Sequence, residues 1–176
     1  MIKVLSQALL GGVLIALATH ATAADNPEVE YVPTRLSDTV TLLTGQGGNI
    51  AISSGGDGVF IIDDQYSHLA EQLLAAIGEV SDKPIRFVIN THYHHDHVGG
   101  NEVVGDTGAV IIAHDNIRER MSSEQFSNFF GSATPPWPSG ALPVVTFNDR
   151  MTLHINGEPV TAFHVPRGHT DGDSII

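Results

Sequence analysis

His92-Tyr93-His94-His95-Asp96-His97 is the stretch that decides the organisation of this chain, and two glycines follow it closely, at 99 and 100. It places four imidazoles and a carboxylate within six residues. Neutral imidazole and carboxylate are strong ligands for a borderline cation such as zinc. The stretch therefore predicts a metal site. The alternative is a surface histidine cluster that holds no fixed metal.

The context of the histidines indicates how they are arranged. A short apolar run at 85–89 precedes them and predicts a buried strand. In chain that is still extended, His92 and His94 point to the same side. Asp96 and His97 follow the point where the chain turns, so they can face a second point. One loop could therefore offer ligands to two neighbouring metal positions.

The chain before this loop shows the pattern of a β-meander. Strands are predicted at 39–43, 49–53 and 58–62, from alternating or continuous apolar residues. Glycine-rich connections at 45–48 and 54–58 separate them. A phosphate cradle is the functional alternative for these connections, but no lysine follows either one. Hairpin turns are the favoured interpretation.

A helix with apolar residues at helical spacing is predicted at 66–77, closed by Gly78. Together with the strands before and after it, this helix predicts a parallel βαβ unit, whose ligands lie at the carboxyl ends of its strands. Asp63 falls at that edge. It could support a ligand histidine, or it could cap the helix, a role that Asp64 could also take.

A further buried strand is predicted at 109–113, ending at His114, and a helix at 115–121 with Asp115 as its cap. His114 lies near the predicted site. We interpret it as a structural, hydrogen-bonded histidine rather than a ligand.

The segment 122–143 breaks the regular pattern with serine, glycine and proline. Long loops that carry aromatic residues often form binding walls, although these rings could instead cover an exposed apolar edge. We favour a wall that faces the substrate. The aromatic residues are Phe126, Phe129, Phe130 and Trp137.

The last part returns to strands, at 144–147, 151–155 and 159–165, with Asn156-Gly157 as a hairpin turn. His154 and His164 lie within these strands and are interpreted as ordinary sheet residues.

A second motif, Gly168-His169-Thr170, follows the last strand. With His-x-His-x-Asp-His at 92–97, it gives the chain its resemblance to the metallo-β-lactamase superfamily. A lone Gly-His-Thr is weak evidence, but at this distance from the first motif it is strong. The resemblance implies an α/β fold, the four-layer αββα sandwich of that family.

The resemblance also implies the ligand set. His92, His94 and His169 would hold a first metal, Asp96 and His97 would contribute to a second, and His95 would point away. Zinc, one or two ions per intact domain, is the implied cofactor. A metal-bound hydroxide would cleave an amide, ester, thioester or lactone, including a β-lactam, with Asp96 as the catalytic residue that orients it.

The chain departs from the family pattern after His169. A full domain continues through a second half with a further ligand Asp or Cys and a final histidine, whereas this sequence stops at Ile176. We therefore expect the N-terminal half of the sandwich plus the start of the second half only, as a piece of a longer gene product. The second metal site would then be incomplete.

Residues 1–23 have a basic start, an uncharged apolar run and a small-x-small end, which predict a cleaved signal peptide rather than a membrane anchor. Residues 24–35 are a lead-in, and 36–176 the metallo-β-lactamase-like domain. A periplasmic or secreted protein follows from the leader. The sequence contains no cysteine, so it has neither disulfides nor thiolate ligands.

The formal net charge of −12 disfavours nucleic acid and anionic lipid as partners, because phosphate binding needs clustered basic residues. A small-molecule substrate is the expected partner, with no stable membrane anchor; the sequence leaves the oligomeric state open. The favoured function is a secreted zinc hydrolase. The alternative is a non-catalytic metal-binding or interaction module. An iron oxygenase on the same fold is disfavoured by the second ligand pair, Asp96 and His97.

Overall fold

The structure is a computed structural model that describes residues 28–127 and 131–176. The predicted signal peptide, together with Phe129 and Phe130, lies outside the described residues. No helix within these two ranges is both long enough and apolar enough to cross a membrane.

A seven-stranded sheet is the centre of the molecule. Its strands are β1 (Val32–Arg35), β2 (Val40–Thr44), β3 (Ile50–Gly55), β4 (Gly58–Ile62), β5 (Ile85–Ile89), β6 (Val110–His114) and β9 (Val145–Phe147). Their spatial order is β1-β2-β3-β4-β5-β6-β9, antiparallel from β1 to β4 and parallel from β4 to β9. The predicted meander and the parallel βαβ unit are both confirmed.

Along the sequence, the helices alternate with the later strands of this sheet. They are α1 (Ala70–Val80), preceded by a 3₁₀ turn at Ser67–Leu69, then α2 (His95–Val98), α3 (Asn101–Asp106) and α4 (Asp115–Met121). Two predicted boundaries of α1 were wrong. It starts at Ala70, and it continues through Gly78 to Val80, a residue that packs against the core.

The helix caps differ from those considered for the sequence. No side chain caps α1, so the capping alternative for Asp63 and Asp64 does not hold. The Asp63 carboxylate instead accepts from Thr91 N, at the start of the histidine loop (residues 91–97), and Asp64 accepts from Gly100 N. Asp115 is the first residue of α4 rather than its cap. His114 takes the cap position, where its Nδ1 accepts a hydrogen bond from Asn116 N at 3.1 Å.

A three-stranded antiparallel sheet covers the second face of the large sheet. It consists of β10 (Arg150–Ile155), β11 (Glu158–His164) and β12 (Ser174–Ile175). Asn156 and Gly157 both have positive φ, 53° and 80°, as expected of a two-residue hairpin turn between β10 and β11. A small hairpin, β7 (Gln125–Ser127) and β8 (Ser132–Thr134), occupies part of the segment for which no regular structure was predicted.

Side chains alternate between two cores because successive strand residues point to opposite faces. Ile61 and Val88 pack with Leu73 of α1, whereas Phe60 and Ile89 pack with Ala162 of the small sheet. The described residues thus form three layers, helices on sheet on sheet, as expected for part of an αββα sandwich. The carboxyl ends of the parallel strands form one edge, and the histidine loop leaves the sheet there.

Candidate metal centre

Buried amide side chains hold the histidine loop where it leaves β5. Asn90, fully buried, donates from its side chain to the carbonyl of His97 at 3.2 Å. The side chain of Asn101, also buried, donates to the side-chain Oδ1 of Asn90 at 3.0 Å and to the backbone O of Ala141 at 2.9 Å. The chain from Asn90 to His97 is therefore fixed at both ends by buried polar groups.

Three imidazoles converge above this loop. One ring nitrogen from each of His92, His94 and His169 lies within 4.8 Å of the other two, and His169 Nε2 is 2.9 Å from His94 Nδ1. Tetrahedral zinc with bonds of about 2.0–2.1 Å holds its ligand nitrogens about 3.3 Å apart. The three rings thus fit a zinc ion after small shifts.

Asp96 and His97 lie beside this group. The His97 and His92 ring centroids are 4.0 Å apart, and Asp96 Oδ2 is 3.4 Å from His97 Nε2. These two side chains face each other next to the three imidazoles. They can offer an oxygen and a nitrogen to a neighbouring position.

Asp63 determines which nitrogen of His92 is free. Thr91 donates to this carboxylate from both its backbone N, at 2.7 Å, and its hydroxyl, at 2.8 Å. Because the Thr91 hydroxyl has a single hydrogen, its oxygen must accept from His92 Nδ1, 3.0 Å away. Protonation at Nδ1 leaves the lone pair on Nε2, which a metal could bind.

The same carboxylate fixes His97. Asp63 Oδ2 is 2.7 Å from His97 Nδ1, and since an ionised carboxylate only accepts, that nitrogen carries the proton. Burial lowers the pKa of His97, but the hydrogen bond and charge of Asp63 outweigh it, so the net pKa is raised. Asp63 thus takes the supporting role, the first of its two predicted alternatives.

Burial, followed by the neighbouring imidazoles, lowers the pKa values of two other histidines. The pKa of His92 falls to about 4, chiefly through burial and then the charge of His97. Burial and His169 lower the pKa of His94. Both are neutral at pH 7, the state in which imidazole binds metal without first losing a proton.

A single carboxylate organises the loop that carries His169. Asp173 accepts hydrogen bonds from the backbone N of His169, from Thr170 N at 2.8 Å and from the Thr170 hydroxyl. Gly168 allows this approach, since a Cβ there would lie 2.2 Å from Asp173 Oδ2. Ser174 N then donates to Thr91 O at 2.9 Å, which ties this loop to the first one.

The turn between β2 and β3 also borders the site, which its sequence did not reveal. A Cβ at Gly48 would lie 2.9 Å from His97 Cε1, and one at Gly47 would lie 3.3 Å from the Asp96 Cβ. Gln65, fully buried with φ of 70°, donates to Gly48 O at 2.7 Å. The interpretation as a hairpin turn is confirmed, but this turn also packs against the histidine loop.

The remaining candidates lie apart from the imidazole group. His95 is exposed, with its ring 5.0 Å from Trp137. His114 is buried, and its Nε2 lies 2.6 Å from Asn148 O, which fits the predicted structural role. His164 is more than an ordinary sheet residue, because its ring stacks on His114 at 3.8 Å.

The family model of the metallo-beta-lactamase superfamily matches residues 33–176. The chain belongs to this superfamily. The resemblance carried by the two motifs is thereby confirmed, together with the fold class that it implied.

Solved structures agree on the fold. A Cronobacter sakazakii metallo-beta-lactamase with a HARLDQ motif superposes with a TM-score of 0.70 at 24% identity, over 81% of this chain and 55% of that one. A B3 metallo-beta-lactamase with an active-site glutamic acid gives 0.67 at 26% identity, again over 81% and 55%.

Two curated relatives are hydroxyacylglutathione hydrolases. The one from Pelagibacter ubique is 24% identical over 127 residues, which is 63% of this chain and 45% of that protein. The one from Polaromonas sp. is 39% identical over 75 residues, 42% of this chain and 27% of that protein. The chain spans less than half the length of these relatives.

Proposed function

We propose that this chain carries the metal site of a zinc-dependent hydrolase that cleaves an amide, ester, thioester or lactone. The observation that carries the proposal is the convergence of His92, His94 and His169, with Asp96 and His97 beside them. Neutral imidazoles are common zinc ligands, and three of them leave a fourth position open.

The five side chains would have different roles in binding the metal. His92 would bind through Nε2, because its Nδ1 bonds to Thr91, and His94 and His169 through the nitrogens that face each other. Asp96 and His97 would hold a second ion or accept a proton. When bound, zinc lowers the pKa of a coordinated water to about 7, which supplies a nucleophile at neutral pH.

The substrate class rests on the relatives. Some are named hydroxyacylglutathione hydrolases and others metallo-beta-lactamases, and both names describe hydrolysis of a bond to an acyl carbon. We propose acyl transfer to water as the reaction, with a small-molecule substrate and no nucleic acid. We also propose export to the periplasm or beyond, based on the leader at 1–23.

Zinc content and turnover, measured together, test the proposal. The full chain, purified with zinc, is compared with His94→Ala and with His154→Ala, a matched control on the exposed face of β10. We expect bound zinc and hydrolysis of thioester and β-lactam test substrates in the parent and the control, with both lost in His94→Ala.

Two outcomes would contradict the proposal. Equal zinc in all three proteins would place the metal elsewhere. If zinc is bound and is lost in His94→Ala, but no substrate is hydrolysed, the alternative of a non-catalytic metal-binding module is favoured.

A further inference from the structure

A small pocket opens beside the metal centre. Its volume is about 250 Å³, and it lies between the histidine loop and the β7–β8 hairpin, with the end of α4 at its side. His94 lines both this pocket and the metal centre. Pockets that hold drug-sized ligands measure about 300–1,000 Å³, so this one suits a single small group.

The walls of the pocket are rich in rings. Tyr93, His95, Phe126 and Trp137 line it, together with the pyrrolidine ring of Pro135. Trp137 is half-buried against the cluster of Val98, Ile117 and Met121, and its backbone N donates to Met121 O at 2.8 Å. Its ring is therefore held in place before any ligand arrives. Phe126 is 64% exposed, so its ring is free to contact a ligand.

The charge in the pocket is already paired. Arg120 is the one Lys, Arg, Asp or Glu among its described lining residues, and its guanidinium donates to Asp171 Oδ2 from both Nε, at 3.1 Å, and Nη2, at 2.5 Å. Its Nη1 faces Gln125 Oε1 at 3.3 Å. An ionic ligand would have to compete with Asp171, whereas a flat neutral ring would not.

We infer that this pocket binds an uncharged aromatic ring of the substrate, next to the bond that is cleaved. The inference deepens the proposed function and rests on it only for the reaction. Aromatic side chains favour aromatic partners through stacked and edge-to-face contacts. Because His94 is shared, a ring in the pocket lies beside the three converging imidazoles.

Trp137 is the only tryptophan of the chain, so its fluorescence reports on this pocket. The metal-free full chain is titrated with two neutral ring compounds, benzyl alcohol and phenylacetamide, and in parallel with methanol and acetamide. We expect a saturable change for both ring compounds, with binding at least about tenfold tighter than that of the two small ones. Phenylacetamide carries its ring on the acyl side of a substrate and benzyl alcohol on the leaving-group side, so the tighter of the two shows which side the pocket takes.

Phe126→Ala should weaken ring binding by about threefold or more while it keeps the Trp137 signal. Phe163→Ala, an exposed phenylalanine on β11 outside the pocket, should leave it unchanged. No saturable signal with either ring compound would overturn the inference, as would equal binding of acetamide and phenylacetamide or equal effects of the two variants. Ring binding without turnover would contradict the proposed function alone, and turnover without ring binding would contradict this inference alone.

Discussion

The two loops that supply the histidines are held in opposite ways. The loop with His92 and His94 follows a buried strand and is anchored by fully buried Asn90 and by Asp63. The loop with His169 is exposed, and its hydrogen bonds run chiefly to one local carboxylate, Asp173. We infer that the first half of the ligand set is positioned by the core of the fold and the second by a single turn. Damage to the first should therefore reduce both metal affinity and stability, and damage to the second should reduce affinity alone.

Asp63→Asn should have the largest effect. The amide keeps one acceptor but presents N–H groups where Thr91 or His97 must donate, so at least one partly buried donor loses its partner. We expect zinc affinity to fall by up to about 100-fold, and the free energy of unfolding to fall by about 1–3 kcal/mol. Competition with a chelator and urea unfolding measure the two effects. Asp38→Asn, at an exposed site, is the control. Unchanged zinc affinity would contradict the supporting role of Asp63.

Asp173→Asn should come next. It removes one acceptor from the turn around His169, so this ligand loses its fixed position while the core stays intact. We expect zinc affinity to fall about tenfold with little change in urea unfolding. Asp106→Asn, exposed at the end of α3, is the matched control. A loss of stability as large as that of Asp63→Asn would break the contrast between the two loops.

Gly48→Ala tests the packing of the β2–β3 turn on the first loop. The added methyl would lie 2.9 Å from His97 Cε1, so either the ring or the turn must shift. Because the His97 ring lies 4.0 Å from that of His92, we expect a several-fold loss of zinc affinity, a modest effect on the scale of supporting contacts. Gly56→Ala, whose Cβ would meet open space, should leave zinc binding unchanged. Calorimetric zinc titration measures both affinities. Equal zinc affinities of the two variants would show that this turn does not support the metal site.

Substitution of His114 should give the smallest effect, a change in how the free energy of unfolding depends on pH. Burial is the largest cause and lowers the pKa of His114, and the neighbouring His164 lowers it further. The hydrogen bond to Asn148 O and the charges of Asp115 and Asp171 raise this pKa but do not outweigh burial. Because the folded pKa lies below the unfolded one, its stabilising effect is present above about pH 6.5 and is lost as pH falls. His114→Gln should reduce the loss of stability between pH 7.5 and 5.5 by less than about 1 kcal/mol. Urea unfolding at both pH values measures this. An unchanged or steeper loss, relative to His154→Gln, would contradict the direction.

The sequence predicts those parts of the molecule in which a local pattern determines the structure. The strands at 58–62 and 85–89 have the predicted bounds because continuous apolar runs between breakers leave few alternatives. The histidine loop was recognisable because its ligand types are contiguous. The helix at 66–77 was misplaced at both ends, since neither the 3₁₀ turn nor the passage through Gly78 has a strong local signal.

The supports of the site could not be predicted in the same way. Thr91, Gln65 and Asp173 are ordinary residue types, and their roles depend on partners that the fold brings close. Positive φ at Asp63 and Gln65, 62° and 70°, is also set by tertiary contacts. Such residues become recognisable only when the loops are seen side by side. Asp173 carried one signal, its place four residues after His169, within reach of that residue's backbone N.

X-ray absorption at the zinc edge tests the central claim most directly, because it counts the imidazoles around the metal. The full chain loaded with one zinc is compared with His169→Ala and with His154→Ala. We predict three imidazole ligands in the parent and in His154→Ala, and two in His169→Ala. The same ligand count in all three proteins would show that the histidines at 92, 94 and 169 do not form one metal site.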